Sequence, residues 1–297
     1  MRILATGGTG LLGYWVVKVL RDRGFDVYAT YHEKPPPQVD VKWVRLDLEN
    51  LDSIANIVRG VKPDVVIHLA AYTDVDGCEV NKEKAYRVNY SATKALARAG
   101  RDAELFVYVS TDYVFDGARG MYREDDVPAP VNYYGLTKLL GEVTVESITS
   151  SSCIVRVSGL YGYSPAGKRN FGLIALEKLA RREPVEAFVD QWLSPTYVKF
   201  LAERLVKIVE TRITGTIHIA GERLSRYEFA TALADVLGVE RDLVKPKRVE
   251  EAKLTAPRPR DSSLDTSKAR GLSLVLPPLQ ECLKDMVSTY WKLAGEV

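Results

Sequence analysis

Two side chains that can move a proton lie one helical turn apart in the segment Tyr134-Gly135-Leu136-Thr137-Lys138. On a helix, residues at i and i+4 share one face, so the phenol of Tyr134 and the ammonium of Lys138 lie side by side. A free tyrosine has a pKa near about 10, and a neighbouring ammonium is expected to lower it because it stabilises the phenolate. The pair can then act as a general acid toward a carbonyl group. The alternative is chance decoration of a surface helix.

Ser110 and Thr111 strengthen the catalytic interpretation of this pair. They end a short apolar run, 105–110, that is typical of a buried strand. A hydroxyl group at such a strand end can hydrogen-bond the same carbonyl oxygen that the phenol protonates. The order of strand-end hydroxyl, tyrosine and lysine therefore predicts an enzyme that reduces a carbonyl.

A glycine-rich segment, Thr6-Gly7-Gly8-Thr9-Gly10-Leu11-Leu12-Gly13, follows the first predicted strand and opens a helix. Its glycines fit the general dinucleotide fingerprint and also the spacing found in short-chain reductases. Glycine permits the tight turn, the close approach of the backbone to a pyrophosphate, and tight packing of helix on strand. Free N–H groups and the positive dipole end at the helix N-terminus attract the anion. The segment therefore predicts a dinucleotide site, and the alternative is an ordinary glycine-rich turn.

The end of the second predicted strand bears on the choice of cofactor. An acidic residue about 20 positions after the glycines would normally bind the ribose hydroxyls of NAD. This strand ends at Tyr31 and His32 without such an acid. A 2′-phosphate is then not repelled, and His32 or Lys34 can bind it, so we expect NADPH, with NADH as the alternative. Asp47, after the third strand, either accepts a hydrogen bond from the adenine amine or caps a local turn.

Up to residue 157, short apolar runs alternate with longer amphipathic ones. Strands are predicted at 2–6, 26–30, 42–46, 64–69, 105–110 and 154–157, and helices at 13–23, 51–59, 82–99 and 133–147. Continuous runs rich in Val and Ile are typical of strands covered on both faces. Repeated alternation of strand and helix implies right-handed crossovers. The predicted fold class is therefore α/β, a Rossmann-type doubly wound parallel sheet.

After residue 157 this alternation loosens. Helices are predicted at 171–182, 225–237 and 277–294, strands at 184–189 and 216–220, and loops at 164–170 and 255–261. Ser225 and Glu228 have the spacing of a capping box. We therefore predict an NADP(H)-binding Rossmann domain at 1–157. Residues 158–297 are predicted to form mainly a small C-terminal substrate-binding lobe, with segments that return to the Rossmann core.

Composition narrows the classes of partner. The 41 lysines and arginines nearly balance 39 acidic residues, which leaves a net charge of +2 without a long block of one sign. This argues against nucleic acid or a membrane surface as the main partner. No apolar run reaches the roughly 18 residues of a membrane span, and the N-terminus does not have the pattern of a signal peptide. Three scattered cysteines indicate reduced thiols, so a cytoplasmic protein is expected.

No metal site is predicted. Asp74, Asp76 and Glu79 are close in sequence, but acid-rich loops are usually solvated. His68 and His218 lie in apolar strands and are expected to be hydrogen-bonded core residues rather than ligands.

Several longer strings carry a resemblance to a known family. They are HLAAYTDVD at 68–76, STDYVFDG at 110–117, NYYGLTK at 132–138, DQW at 190–192 with PT at 195–196, and RPR at 258–260. Over nearly its whole length the chain resembles the extended short-chain dehydrogenase/reductase family, and within it the dTDP-4-dehydrorhamnose reductase branch. That branch reduces the 4-keto group of a dTDP-linked deoxysugar to give dTDP-L-rhamnose. The resemblance implies a nucleotide-sugar substrate, a homodimer, and Thr111, Tyr134 and Lys138 as the catalytic set.

The motifs and the resemblance together predict three groups of residues. The catalytic group is Ser110, Thr111, Tyr134 and Lys138. The cofactor-binding group is Gly7, Thr9, Gly10, Leu11, Leu12, Gly13, Tyr31, His32, Lys34, Asp47, Leu48, Leu69, Ala70, Ala71, Asn89, Tyr134 and Lys138. The substrate-binding group is Thr73, Val75, Asp76, Tyr113, Gln191, Arg258 and Arg260. Arg258 and Arg260 either clamp a pyrophosphate or belong to an exposed basic loop.

One position departs from the reductase branch. The bacterial reductases carry a Trp that contacts the sugar, and Gly159 takes its place here. The sugar pocket therefore differs. The stretch 156–162 is more similar to the regulatory β-subunit of methionine adenosyltransferase, which binds NADP and serves mainly as a partner protein. Two alternatives to the rhamnose pathway enzyme follow: a regulatory subunit of that kind, or a reductase of another 4-keto nucleotide sugar.

Overall fold

A computed structural model describes residues 1–295. Its centre is a seven-stranded sheet with the order β11-β6-β5-β4-β1-β2-β3, in which every neighbouring pair is parallel. The strands of this sheet are β1 (Arg2–Thr6), β2 (Asp26–Tyr31), β3 (Lys42–Arg45), β4 (Val65–His68), β5 (Leu105–Thr111), β6 (Ser152–Val157) and β11 (Gly215–His218). Strand order reverses between β1 and β4, which is the crevice where ligands bind in doubly wound sheets. The predicted fold class is confirmed.

The helices are α1 (Leu11–Asp22), α2 (Leu51–Val61), α3 (Val75–Val80), α4 (Lys82–Ala85), α5 (Ala92–Ala99), α6 (Tyr133–Ile148), α7 (Phe171–Ala180), α8 (Val198–Thr211), α9 (Arg226–Leu237), α10 (Ser267–Gly271) and α11 (Leu279–Ala294). The remaining strands are β7 (Leu160–Tyr161), β8 (Val185–Phe188), β9 (Trp192–Leu193), β10 (Thr196–Tyr197), β12 (Leu224–Ser225) and β13 (Val244–Lys247). A π-helical turn, Tyr86–Ser91, joins α4 to α5. The stretch 82–99 is thus helical throughout, as expected, but with one widened turn.

Helices cover both faces of the central sheet. Side chains of α1 and α8 pack on one face, and those of α2 and α5 pack on the other. The sequence reading missed α8, although its apolar positions 198, 201, 202, 205, 206 and 209 repeat at helical spacing and are buried. Strand β11 belongs to the central sheet and α8 packs against it, although both elements lie after residue 157 in the sequence.

A smaller lobe has its own apolar core. Residues of α7, α9 and α11 pack there around the two-stranded parallel sheet of β8 and β13. Helix α9 begins with the capping box that the sequence predicts, because Ser225 Oγ accepts from the Glu228 N–H and Glu228 Oε2 accepts from the Ser225 N–H. The division at residue 157 stays a prediction.

No helix within residues 1–295 is long and apolar enough to cross a membrane. The three cysteines, Cys78, Cys153 and Cys282, are buried and unpaired.

Candidate active site

The glycine segment forms a tight cradle between β1 and α1. Gly7 has a φ of 71°, which favours glycine, and a Cβ on Gly13 would lie 2.0 Å from the carbonyl oxygen of Gly7. Gly10 caps α1 without a side-chain hydrogen bond, so its first N–H groups face the cleft without a side-chain acceptor. Tight turn, close packing and an uncapped helix N-terminus together fit the pyrophosphate of a dinucleotide.

A buried hydrogen-bond network holds the strand ends beside this cradle. Thr6 Oγ1 accepts from the N–H groups of Leu69 and Ala70 and lies 2.7 Å from His68 Nδ1. His68 Nε2 lies 3.0 Å from Thr93 Oγ1. Burial and the nearby Lys138 lower the pKa of His68 to about 3, so the ring is neutral. His68 is therefore a hydrogen-bonded core residue that fixes the segment 69–71 against the glycine cradle.

Three polar residues lie where an adenosine is expected, at the end of β2 and β3. His32 is exposed, with Nε2 3.7 Å from Asp47 Oδ1. Lys34 Nζ donates to the carbonyl of Ala166 at 2.6 Å. Asp47 Oδ1 accepts from the Glu49 N–H at 2.9 Å. Of the two roles predicted for Asp47, adenine binding and the capping of a local turn, this contact corresponds to the turn cap. The structure therefore brings the His32 and Asp47 side chains together at this edge, and Lys34 contacts the segment at Ala166.

The four predicted catalytic residues converge at the carboxyl end of β5. Ser110 and Thr111 end that strand, and Tyr134 and Lys138 lie on the first two turns of α6. Ser110 Oγ is buried and has no hydrogen-bond partner among the described residues. A buried hydroxyl without a partner is uncommon and indicates a group awaiting a ligand.

Lys138 is held by the strand that precedes these hydroxyls. Its Nζ donates to the carbonyl of Val109 at 2.8 Å and lies 4.0 Å from the centre of the Tyr108 ring. Burial lowers the pKa of Lys138 to about 7, and the Glu142 carboxylate opposes this shift. The Lys138 side chain is thus held against β5 by backbone and ring contacts, one helical turn from Tyr134.

The pKa of Tyr134 differs from the sequence expectation. The sequence predicts a lowered pKa through Lys138, whereas burial raises it and the Asp112 carboxylate adds to the rise. The physical reason is that a phenolate loses solvation in this cleft and faces a like charge. The phenol is therefore protonated in the described structure, which is the form that a general acid requires.

Asp112 is a functional candidate that the sequence analysis missed. Its buried carboxylate accepts from Ser158 Oγ at 2.8 Å, Ser262 Oγ at 2.5 Å and Thr111 Oγ1 at 3.0 Å. Burial raises its pKa to about 6, and the three hydroxyl donors oppose that rise. The carboxylate thus joins the end of β5 to two distant segments, and it accepts the hydrogen bond that the Thr111 hydroxyl donates.

Asp112→Asn is expected to change how stability depends on pH. Because folding raises the pKa of Asp112 above its ordinary value of 3.8 to about 6, its ionisation destabilises the fold as pH rises through that window. Between about pH 4.5 and about pH 7.5 the free energy of unfolding should shift in favour of the Asn variant by about 1–3 kcal/mol. Urea unfolding at both pH values measures this difference.

Asp116→Asn is the matched control, because Tyr122 and the Ala118 N–H lower the pKa of Asp116. A lowered pKa contributes stability that is already present above the unfolded pKa of 3.8 and is lost only at lower pH, so the difference between this variant and wild type should stay nearly constant from about pH 4.5 to about pH 7.5. Parallel curves for the wild type and Asp112→Asn would contradict the assignment.

Asn89, predicted to bind the cofactor, lies buried in the π-helical turn. Its side chain accepts from the Tyr72 N–H at 2.7 Å and donates to the Tyr72 carbonyl at 3.0 Å and to Thr137 Oγ1 at 3.1 Å. Thr137 lies between the two catalytic residues of α6. Asn89 therefore joins the segment after β4 to helix α6 through hydrogen bonds.

The acidic cluster has structural partners. Asp74 caps α3 through the Gly77 N–H, and Glu79 accepts from the Tyr133 N–H at 3.0 Å. Asp76 accepts from the N–H groups of residues 255 and 256 and from Arg258 Nη2 at 2.9 Å. Among residues 1–295 no group of three or more acidic, His or Cys side chains could hold a metal ion. Asp76 instead joins the start of α3 to the predicted basic loop.

The other predicted substrate residues divide into two groups. Tyr113 and Gln191 lie near the catalytic phenol: the Tyr113 and Tyr134 rings are 6.1 Å apart, and Gln191 lies beside the Tyr113 hydroxyl. Thr73 and Arg260 are exposed, and Val75 begins α3 at the rim. The sequence analysis missed Arg226, whose Nε donates to Gln191 Oε1 at 3.0 Å.

Gly159 lies at the wall of a cavity of about 130 Å³ next to this group. It has a φ of 49°, and a Cβ there would lie 2.1 Å from Leu193 Cδ1. A Trp at this position would therefore require both a strained backbone and displacement of Leu193. The backbone conformation at residue 159 therefore favours the glycine of this chain over the Trp of the reductase pattern.

Comparison with known proteins agrees with this geometry. The chain is 33% identical to a probable low-salt glycan biosynthesis reductase of Haloferax volcanii, over 98% of each chain. It is 32% identical to methionine adenosyltransferase 2 subunit beta of Pongo abelii, over 92% of this chain and 83% of that one.

A solved structure of dTDP-4-dehydrorhamnose reductase from Bacillus anthracis, in complex with NADP, superposes with a TM-score of 0.85 at 32% identity, over 96% of this chain and 98% of that one. The family model described as the RmlD substrate binding domain matches residues 1–291. With the glycine cradle and the Ser-Thr-Tyr-Lys group at one sheet edge, this match confirms the predicted resemblance: the chain belongs to the RmlD substrate binding domain family.

Proposed function

We propose that the protein reduces the 4-keto group of a nucleotide-linked deoxysugar with NADPH or NADH, and that its substrate is dTDP-4-dehydro-L-rhamnose. The observation that carries this proposal is the convergence of Ser110, Thr111, Tyr134 and Lys138 beside the glycine cradle. Relatives named as reductases, and a neighbour solved with NADP, support it.

The chain's own residues account for the proton and the carbonyl oxygen. A bound NAD(P)H supplies a hydride to the carbonyl carbon. The Ser110 hydroxyl, which has no partner among the described residues, would donate a hydrogen bond to the carbonyl oxygen, whereas the Thr111 hydroxyl donates its hydrogen bond to Asp112. Tyr134 then gives its proton to that oxygen, and the product is a secondary alcohol.

Lys138 acts on the phenolate that this proton transfer leaves. Its ammonium, held at the Val109 carbonyl, stabilises the developing negative charge until solvent returns a proton. Burial holds its pKa near 7 while the Glu142 carboxylate favours the charged form, and a phenolate beside it would favour that form further. The same lysine would also bind the ribose next to the nicotinamide.

The test is turnover with enzymatically prepared dTDP-4-dehydro-L-rhamnose, followed as loss of the absorbance of reduced nicotinamide. Turnover with NADPH faster than with NADH would support the proposed cofactor. Turnover only with a different 4-keto nucleotide sugar would support the proposed reaction and reject the proposed substrate. The difference from the reductase pattern at Gly159 is compatible with such a result.

A second candidate is a regulatory subunit of a methionine adenosyltransferase. The similarity to the β-subunit over 282 residues favours it. A partner protein has no need of a free Ser110 hydroxyl beside a protonated Tyr134, so the geometry favours the enzyme. Co-purification with a methionine adenosyltransferase catalytic chain, together with absent turnover, would reverse this order.

A further inference from the structure

Arg226 places a positive charge at the wall of a partly open cavity. It is the first residue of α9, and it lines the cavity of about 130 Å³ together with Gly159, Tyr161, Phe171, Leu193 and Phe229. Its guanidinium lies 5.1 Å from the centre of the Phe171 ring. Among the described residues, none of the others that line this cavity carries an ionised side chain, so its wall provides no counter-ion for the guanidinium.

This charge lacks a carboxylate partner. In the part of the chain that the structure describes, no ion pair within 4.0 Å involves Arg226. Its Nε donates to Gln191 Oε1 at 3.0 Å, and the Tyr113 hydroxyl lies beside it. A guanidinium carries five N–H donors, so these two neutral partners leave donors unused. A partly buried cation is costly without an anion, and such a cation is retained where a ligand supplies one.

The arginines that the sequence assigns to this role have other surroundings. Arg258 Nη2 is paired with Asp76 at 2.9 Å, and Arg258 Nη1 donates to the Ala256 carbonyl at 2.8 Å. Arg260 is exposed to solvent. One of the predicted cations is therefore already neutralised and the other is hydrated, whereas Arg226 has no carboxylate within ion-pair distance among the described residues, although the Asp112 carboxylate acts on it from farther away.

The position of Arg226 relates it to the reacting centre. Gln191 and Arg226 both lie beside the Tyr113 hydroxyl, and the Tyr113 ring lies 6.1 Å from the ring of Tyr134. The cavity is therefore next to the site of proton transfer. Gly159 is one of the residues that line it.

We propose that Arg226 binds an anionic oxygen group of the substrate, with Gln191 and Tyr113 orienting the guanidinium. This inference rests on the proposed nucleotide-sugar function and names a binding residue for it. The planar guanidinium matches a phosphate or a carboxylate through paired hydrogen bonds. The anionic group is either the diphosphate or a carboxylate carried by the sugar.

The experiment is calorimetric titration of the full chain, saturated with NADP⁺, with dTDP, UDP-glucose and UDP-glucuronate. Arg226→Met should weaken binding of the ligand that bears the recognised group by about 10- to 100-fold. Arg226→Lys keeps the charge and should restore part of the affinity, which separates a lost contact from a misfolded protein. Affinity should also fall with added salt in the wild type and less so in Arg226→Met.

Arg223→Met is the matched control. Arg223 lies three residues earlier and is already paired with Asp261 at 2.7 Å, so its loss should leave the affinities unchanged. A loss with dTDP itself identifies the diphosphate, and a loss confined to UDP-glucuronate identifies a sugar carboxylate. Equal affinities of wild type and Arg226→Met for all three ligands, or no binding by wild type, would overturn the inference. Arg226-dependent binding without turnover of any 4-keto sugar would support the binding role of Arg226 and reject the proposed reductase activity.

Discussion

Tyr134→Phe is expected to lower kcat by about 10²- to 10⁴-fold, the usual contribution of a general acid, with Kd for NADPH changed by less than about two-fold. The phenol lies beside the Thr111 hydroxyl and the Asp112 carboxylate, and both burial and that carboxylate keep it protonated. The substitution removes the transferable proton and leaves the ring. Steady-state kinetics together with a fluorescence titration of NADPH measures the two effects separately.

Tyr133→Phe is the control for this variant. Tyr133 precedes the catalytic residue on the same helix, and its ring lies 5.4 Å from Lys82 Nζ, on the side of α4. It should keep wild-type kcat. Turnover retained in Tyr134→Phe would mean that another group gives the proton, and lost NADPH binding would show that the phenol is structural.

The parts of the site that depend on contiguous sequence were predictable. The glycine cradle needs only the end of β1 and the start of α1, and the catalytic pair needs only one helical turn. The strands of the sheet follow from their apolar runs, which is why all seven were found. The residues of such patterns are close in sequence, so the local backbone conformation alone determines their relative positions.

Asp112 and Arg226 could not be assigned in the same way. Asp112 accepts hydrogen bonds from Ser158 and Ser262, which lie 46 and 150 positions away in the chain. Arg226 donates to Gln191, which lies 35 positions away. Neither spacing leaves a signal in one sequence. The pKa of Tyr134 in the protein alone differs from the expectation for a related reason, since burial and the Asp112 carboxylate raise it and burial is a property of the folded chain.

Helix α8 shows a different limit. Its apolar repeat was visible, but it follows four very short strands and loops between residues 158 and 197, so the chain there lacks the regular alternation that marked the earlier helices. Packing of α8 against α1 then decides its place in the fold.

Glu142→Ala is expected to lower the free energy of unfolding by about 3–5 kcal/mol, because it leaves the buried guanidinium of Arg156 without its anion. The pair joins α6 to β6: Arg156 Nη2 and Glu142 Oε2 are 2.7 Å apart, and the two side chains are 6% and 4% exposed. Arg156 also lies 3.4 Å from His218 Nε2 on β11 and 5.1 Å from the Phe115 ring. Urea unfolding of the purified chain measures the loss.

Glu240→Ala is the matched control, since Arg182 and Glu240 are also 2.7 Å apart but are 65% and 63% exposed. Solvent screens that pair, so its loss should cost far less stability than loss of the buried pair. The double variant Glu142→Leu, Arg156→Met should recover most of the stability, because it removes both charges together. Equal losses in Glu142→Ala and Glu240→Ala would mean that burial does not strengthen the pair. Glu142 lies one turn beyond Lys138 on α6, so full recovery of stability in the double variant with kcat still reduced would show that the carboxylate also supports the charge on that lysine.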